Sequence, residues 1–584
     1  MTMHSHPQDL TVAFDPVAME IFSNRLLSIT EQMAINMMRS SFSAQIKERR
    51  DFSVGLFDAR GRLIAQGTHI PVHLGSLMGA VDAVLARYPL DEIRPGDAFI
   101  CNDPYAAGGT HLPDISVATP LFAEDRLIAF AVNIGHHTDV GGSVPGSTSS
   151  QSRSIFEEGL RLPVMRFCRN GVVDRDILDL VALNSRLPEE RALDLQVQVA
   201  TNLRGGYATL ELVTRMGADG FEKRVADLLA YTRRRLELRI AGLKQETSEF
   251  TAWLDDDGFA DGNPVPLKVA VSVKDGRLVL DFAGSGPETR GALNIAQNAL
   301  RATAYYCVKA LLDPELMANS GMMEAIDLRA PKGTIVNPRA PAPVAARTIA
   351  CQALAGAIFG AFQPLIDPVN RMASSFDVLP AFKLAGPFAS GGYYICGETM
   401  GGGGGARSDT DGMDGIHVHV TNSLNLPSEA LENEFPIRVE AYGLVEDSGG
   451  AGMWRGGMGI LRRVRVLLDN TTLEVRSDHH LRGAPGAEGG HDGGVGRILH
   501  ITGEGETALP SKVNNLYLAA GDVIQISTPG GGGFGHPEDR PTDRLASDLR
   551  DGILSKARAT AEYGEDLTKA AMALLTTQPG ASVD

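Results

Sequence analysis

The sequence predicts a mixed α/β (α+β) chain of several domains, an N-terminal mixed domain followed by an antiparallel-rich half full of glycine loops. Three observations predict it. The chain has 584 residues with 43% hydrophobic content, enough for two to four separate cores. Helical apolar periodicity and short apolar runs alternate through the first half. The 65 glycines are about 11% of the chain, against roughly 7% in average usage, and they cluster at 401–405, 449–459, 483–494 and 530–535.

The elements follow in order. Asp15-Pro16 opens a helical pattern in which Met19, Ile21, Phe22, Leu26, Ile29, Met33, Met37 and Met38 recur at three- and four-residue spacing through about Ser43. That stripe reads as core rather than as a cofactor box. Residues 51–58, the turn at 59–61 and residues 63–65 read as a β-hairpin. A helix is expected near 75–88, and strands at 97–101 and 127–134. Residues 174–245 are helical, and the charged run Arg233 to Arg239 is a solvated helix face. Antiparallel strands are expected over 249–290, helices near 296–312 and 345–363, and short strands with glycine loops over 385–535. The expected domains are an N-terminal mixed α/β domain at 15–245, a central α+β region at 246–380, a glycine-loop-rich β region at 381–540 and a polar, partly helical tail at 541–584.

The net charge of −17 argues against nucleic acid and anionic membrane surfaces as partners. Residues 1–10 carry neither a charged n-region nor an apolar h-region, and no run approaches the roughly 18–20 apolar residues of a membrane helix. Five scattered cysteines without a CxxC pair point to reduced thiols. A cytoplasmic location is expected.

Candidate chemistry concentrates in two stretches, Asn102-Asp103-Pro104 through His111 to Asp114, and Gly135-His136-His137-Thr138-Asp139. Each follows an apolar run that reads as a buried strand. Imidazole and carboxylate groups among glycine and proline suit a divalent ion: Zn²⁺ or Mn²⁺, with Fe²⁺ as an alternative. His111, Asp114 and His136 form a facial set that leaves positions open. Asp103 is a fourth ligand or an anchor behind the others. In an extended segment His137 points away from His136, so His136 is the expected ligand, with His137 and Asp139 as the expected proton acceptor or orienter.

Other patches are less specific. His69 and His73 are four apart, but Pro71 between them argues against a helix and hence against a zincin-like pair. In an extended segment both could line a pocket, and their role stays open. Glu48 and Arg49 could form a partly buried ion pair. The runs 401–405 and 530–535 lack the Gly-Lys-Ser/Thr ending of a P-loop and read as tight structural turns. His417 and the pair His479-His480 have no sequence partner. No GxSxG motif, Cys-His signal or dinucleotide fingerprint occurs.

With these residues in view, the chain resembles the hydantoinase B/oxoprolinase family. The resemblance rests on ordered motifs: ERRDFS at 48–53, IPVHLGS at 70–76, NDP at 102–104, GTHLPD at 109–114, GHHTDVGG at 135–142, EGLRLP at 158–163, NSG at 319–321, EFP at 434–436 and PGGGGFG at 529–535. It implies a B-type subunit of an ATP-dependent cyclic amide hydrolase of hydantoinase or 5-oxoprolinase type. A hydantoinase A-type, actin-like ATPase subunit would use the ATP to phosphorylate the substrate carbonyl oxygen. This chain would then open the lactam or hydantoin ring with metal-activated water. It also implies a hetero-oligomer, since 584 residues leave no room for a fused ATPase. The resemblance to the acetone and acetophenone carboxylases places Mn²⁺ at His111, Asp114 and His136. Carboxylation of a ketone substrate is the alternative reaction, and a non-catalytic scaffold subunit is a further one.

Overall fold

A computed structural model describes residues 15–67, 69–259 and 261–577. Residues 1–10, on which the expectation about a leader rests, and the last seven residues of the expected tail lie outside that set. The mixed, multi-sheet architecture expected from the sequence is present, and four sheets organise it.

The first sheet holds β1 (Phe52–Asp58), β2 (Leu63–Gln66), β3 (Ala98–Cys101), β4 (Asp114–Ala123), β5 (Arg126–His136), β6 (Met165–Arg169) and β7 (Val172–Val173). Its order is β2-β1-β5-β4-β3-β6-β7, antiparallel throughout. Six helices accompany it: α1 (Pro16–Ser40), α2 (Ala44–Lys47), α3 (His73–Arg87), α4 (Arg175–Leu183), α5 (Pro188–Met216) and α6 (Ala218–Ala241). Pro16 sits in the first turn of α1, and the Asp15 carboxylate accepts the Ala18 amide at 3.0 Å, a proline-plus-cap start. Successive residues of β5 enter different cores, as strand geometry requires. Phe130, Val132 and Ile134 join the core under α3, whereas Ala129 and Ala131 join the one with α1 and the Met19 to Met37 stripe.

The strand expected at 127–134 is therefore one arm of a hairpin. Its partner β4 begins at Asp114 itself, a strand that is not among those expected from the sequence. Asp114 and His136 are direct partners across the ladder. His73 is also placed differently from the extended reading, because it begins α3 just after Pro71, where proline no longer obstructs helical bonding.

The second sheet runs β11-β10-β9-β8, with β8 (Ser248–Leu254), β9 (Val265–Lys274), β10 (Arg277–Asp281) and β11 (Ile326–Arg329). The expected antiparallel segment holds, and β11 joins β10 in parallel. Helices α7 (Gln297–Leu312), α8 (Ser320–Met323) and α9 (Arg347–Phe362) follow. Every residue of α9 except Gly360 is buried, the signature of a helix running through a core. Its first residue is Arg347.

The third sheet pairs β12 (Ala381–Pro387), β13 (Tyr393–Thr399), β16 (Thr471–Arg476) and β19 (Lys512–Leu518). The fourth pairs β14 (Ile437–Leu444), β15 (Ile460–Val466), β17 (Arg497–Thr502), β18 (Gly505–Leu509) and β20 (Val523–Ser527). They share one core around Phe382, Leu384, Leu473, Ile498 and Ile524. Four further helices are α10 (Ser428–Glu434), α11 (Thr542–Arg550), α12 (Lys556–Tyr563) and α13 (Glu565–Thr577).

The glycine runs pack against one another as bare backbone. Gly457 N–H donates to Gly404 O, Gly531 N–H to Gly457 O, Gly450 N–H to Gly531 O, and Gly403 N–H to Pro529 O. A Cβ on Gly403, Gly456 or Gly531 would overlap a carbonyl of the neighbouring run. These amides are spent on each other, so they are not an anion cradle of the P-loop kind.

Candidate metal centre

His111, Asp114 and His136 each offer a ligand atom, and the three atoms lie within 4.8 Å of one another; among the described residues no other such group of His, Cys, Asp or Glu occurs. The topology accounts for the convergence. Asp114 opens β4, His136 closes β5 opposite it, and His111 precedes β4 by one turn. All three are buried.

Hydrogen bonds fix the state of His111 and Asp114. His111 Nδ1 lies 2.9 Å from Ala345 O. A carbonyl only accepts, so Nδ1 carries the proton and Nε2 keeps its lone pair. Asp114 Oδ2 accepts from Arg347 Nη2 at 2.6 Å and from Thr110 Oγ1 at 2.7 Å. What remains is one buried atom per ligand residue with no hydrogen bond: His111 Nε2, Asp114 Oδ1 and His136 Nδ1. His111 Nε2 stands 3.2 Å from Asp114 Oδ1. Buried polar atoms left unpaired are costly, and two lone-pair nitrogens beside a carboxylate oxygen are a fitting donor set for a divalent ion.

The electrostatics agree. Burial, followed by the neighbouring Arg347 guanidinium, pushes the His111 imidazole down to about 4. Burial and then His111 hold His136 well below its ordinary value. Both rings are neutral at pH 7, as metal ligands must be. Burial alone would raise Asp114, but His111, Arg347 and His73 outweigh it and hold the carboxyl well below the usual range. Since His111 is itself neutral at pH 7, Arg347 is the cation that keeps Asp114 ionised.

The other expected residues sit elsewhere in this neighbourhood. Asp103 is occupied within its own loop. Its Oδ1 accepts the Tyr105 and Ala106 amides at 2.8 and 2.7 Å, and its Oδ2 accepts Arg161 Nε at 2.6 Å. Asp139 accepts the Gly141, Gly146 and Arg186 amides at 3.1, 2.9 and 2.8 Å and Arg186 Nη1 at 2.9 Å. His137 Nε2 meets Gln198 Oε1 at 2.9 Å. None of the three belongs to the convergent set.

Sequence reasoning left His73 open and gave Asp51 and Arg347 no role. His73 Nε2 lies 3.6 Å from Asp114 Oδ1 and 3.5 Å from Asp51 Oδ1, and its Nδ1 lies 3.2 Å from Ser53 Oγ. The ERRDFS and IPVHLGS motifs, which hold Asp51, Ser53 and His73, were the available signal. The suggested Glu48–Arg49 pair does not form. Glu48 faces Lys47 at 3.8 Å, whereas Arg49 is buried and reaches Gly397 O and Thr399 Oγ1 at 3.0 and 2.7 Å.

The family model for Hydantoinase B/oxoprolinase matches residues 15–537. The chain belongs to the hydantoinase B/oxoprolinase family. An uncharacterized protein of Methanocaldococcus jannaschii is 33% identical over 95% of this chain and 97% of its own length. A Pseudomonas sp. protein provisionally named as the B-type subunit of a D-/L-hydantoinase is 30% identical over 95% of each chain. Against 5-oxoprolinase 1 of Arabidopsis thaliana the identity is 31%, over 89% of this chain but only 42% of the relative, so the chain spans less than half of that protein. Among solved structures, the ATP-dependent caprolactamase of Pseudomonas jessenii superposes with a TM-score of 0.87 at 26% identity, covering 96% of this chain and 99% of that one. A nucleotide-free acetone carboxylase superposes at 0.88 with 19% identity, covering 96% and 83%, a likeness of fold. Among the described residues no helix is long and apolar enough to cross a membrane.

Proposed function

We propose that this family member is the metal-bearing, B-type subunit of an ATP-dependent cyclic amide hydrolase, partnered by an actin-like ATPase subunit that activates the substrate carbonyl by phosphorylation. The observation that carries the reading is the convergence of one ligand atom each from His111, Asp114 and His136 within 4.8 Å, with a buried, unbonded polar atom on every one of the three residues. Hydrolysis is favoured over carboxylation because relatives at 30% identity or more are named for hydantoinase and 5-oxoprolinase, and a 26%-identical neighbour for caprolactamase. The acetone carboxylase supplies fold likeness alone.

A divalent ion held there would acidify water toward neutral pH and polarise the reacting carbonyl. The chain's own groups do the rest. Arg347 and Thr110 hold Asp114 ionised and oriented, and Ala345 O fixes the His111 tautomer. We assign proton acceptance to His73 Nε2 rather than to His137 or Asp139. Ser53 Oγ can give its own proton to Ile70 O at 3.4 Å and accept from His73 Nδ1–H, the tautomer that puts the lone pair on Nε2. Asp51 Oδ1, 3.5 Å away, then stabilises the imidazolium that forms. Asp103 and Asp139 serve by holding the two loops closed. The water oxygen ends on the carbonyl carbon, the ring C–N bond breaks with the nitrogen taking the proton from the His73 imidazolium, and a second water releases the phosphoryl group of the resulting acyl phosphate as inorganic phosphate.

The test is metal analysis of the purified chain, followed by ATP-dependent ring opening with its ATPase partner over a panel of cyclic amides. His136→Ala and Asp114→Asn are expected to lose both metal and turnover. Full metal occupancy with unchanged turnover in either variant would sink the proposal.

A further inference from the structure

The Asp114–His136 pair stands at the end rung of the β4–β5 ladder, the place where paired strands open most readily. A metal site tolerates about 0.5 Å of misplacement. Two ligands on different strands therefore need a tie beyond that rung. Backbone pairing supplies one, His137 N–H to Pro113 O at 2.8 Å. A second comes from outside the sheet.

Gln198 and Asn202 lie four residues apart on α5, so they share one helix face. Gln198 Nε2 donates to Ile115 O and to Asn133 Oδ1, both at 2.9 Å. Its Oε1 meets His137 Nε2 at 2.9 Å. Ile115 O can only accept, which settles which end of the Gln198 amide is nitrogen, and the oxygen end must then receive His137 Nε2–H. Asn133 Nδ2 donates in turn to Gln198 O at 2.6 Å and Asn202 Oδ1 at 2.8 Å. Asn202 Nδ2 donates to Val117 O at 2.9 Å and Thr119 Oγ1 at 3.2 Å. Both amide hydrogens of each of these three side chains thus have an acceptor, and Asn133, His137, Gln198 and Asn202 are all fully buried. A satisfied buried network of this kind is rigid. Its place in the chain is specific. Ile115 follows Asp114 and His137 follows His136, so the single amide of Gln198 grips the neighbour of each ligand.

We infer that Gln198 is a positioning residue of the metal centre: its buried amide, anchored on α5, ties the strand end that carries Asp114 to the strand end that carries His136 and fixes the distance between them. His137 is then the handle by which α5 holds His136, which explains why its Nε2–H faces Gln198 rather than the ligand set. The inference rests on the proposed metal site and adds α5 to the turn and two strands that carry the ligands.

Chelator competition with Mn²⁺ on the purified full chain, read beside the Tm of each metal-free variant, tests it. Gln198→Met keeps the length of the side chain and removes all three hydrogen bonds. Mn²⁺ affinity is expected to fall roughly ten- to a hundredfold, and the electron paramagnetic resonance spectrum of bound Mn²⁺ to differ from the wild-type one. Asn319→Leu is the comparison. It removes another fully buried amide, one that bonds Thr232 Oγ1 and Gly321 N–H at 3.0 Å and touches no residue of the network. It should lower Tm without that loss of affinity. Wild-type affinity and spectrum in folded Q198M overturn the inference. An equal loss of affinity in N319L also overturns it, because the effect would then be one of general stability. Should Q198M fail to fold, H137L cuts the His136 arm alone, and wild-type affinity in that variant overturns the inference as well. A wild-type chain that takes up no metal overturns the metal reading together with this inference, whereas a metal-loaded wild type with an indifferent Q198M overturns this inference alone.

Discussion

Glu158 lies outside the ligand set, yet the structure makes it a support for His111. Its Oε1 accepts the Val344 and Ala345 amides at 2.6 and 2.9 Å, and Ala345 O in turn accepts His111 Nδ1–H at 2.9 Å. Glu158→Ala removes the acceptor from two buried amides. Each unsatisfied amide costs about 1–3 kcal/mol, and the cheapest relief is a shift of the peptide that orients His111. Loss of such a support behind a metal ligand typically costs about 10–100-fold in metal affinity. Burial pushes the Glu158 carboxyl up to about 8, so at pH 7 the protonated acid is the main form and glutamine is its near replica. Chelator competition with Mn²⁺ and Zn²⁺ should therefore show a loss of that size in E158A and near wild-type affinity in E158Q. The same shift has a stability consequence. The folded carboxyl stays protonated up to about 8 while the unfolded one ionises near 4.3. The folded state thus holds the extra proton between those values, and stability falls as pH rises through that window. The Tm of E158Q should lack this part of the slope. Wild-type metal affinity in well-folded E158A would refute the relay through Ala345.

Three further outcomes follow from the same geometry. Since burial holds His111 down at about 4, protons compete for its Nε2 only as pH falls toward that value. Metal occupancy should be flat from pH 8 to about 5.5, and a decline beginning near the ordinary imidazole value of about 6.5 would contradict it. Arg347→Met leaves the Asp114 carboxylate buried without its cation. Breaking one side of such a pair costs about 3–5 kcal/mol, to be read as a lower Tm in the metal-free chain, and an unchanged Tm would argue against the pairing. Gly531→Ala places a methyl group against Gly404 O in the stacked glycine runs, so soluble, wild-type-like melting of that variant would show that the runs are not packed as described.

The convergence of His111, Asp114 and His136 was legible because it is nearly local: a turn, the first residue of β4 and the last residue of β5. Residue types and spacing exposed it even though β4 itself went unread. The helices were legible for the related reason that apolar periodicity is local. The surroundings of the triad come from far along the chain, where no short-range pattern reports contact. Arg347 is 233 positions from Asp114, and Arg49 is 348 from Gly397. The glycine runs were read as turns because composition reveals conformational freedom but not which backbone will lie alongside. One distant residue did leave a trace. The expected helix near 345–363 is apolar on every side and carries a single charge, Arg347, at its start. A helix of that kind has no solvent face, so its lone guanidinium must be buried and needs a buried anion. Among the residues that the sequence had already marked, the candidates were Asp103, Asp114 and Asp139. The two held by backbone amides and by the nearer arginines Arg161 and Arg186 are excluded by their own loops. That leaves Asp114, the one whose ionisation the proposed metal centre requires.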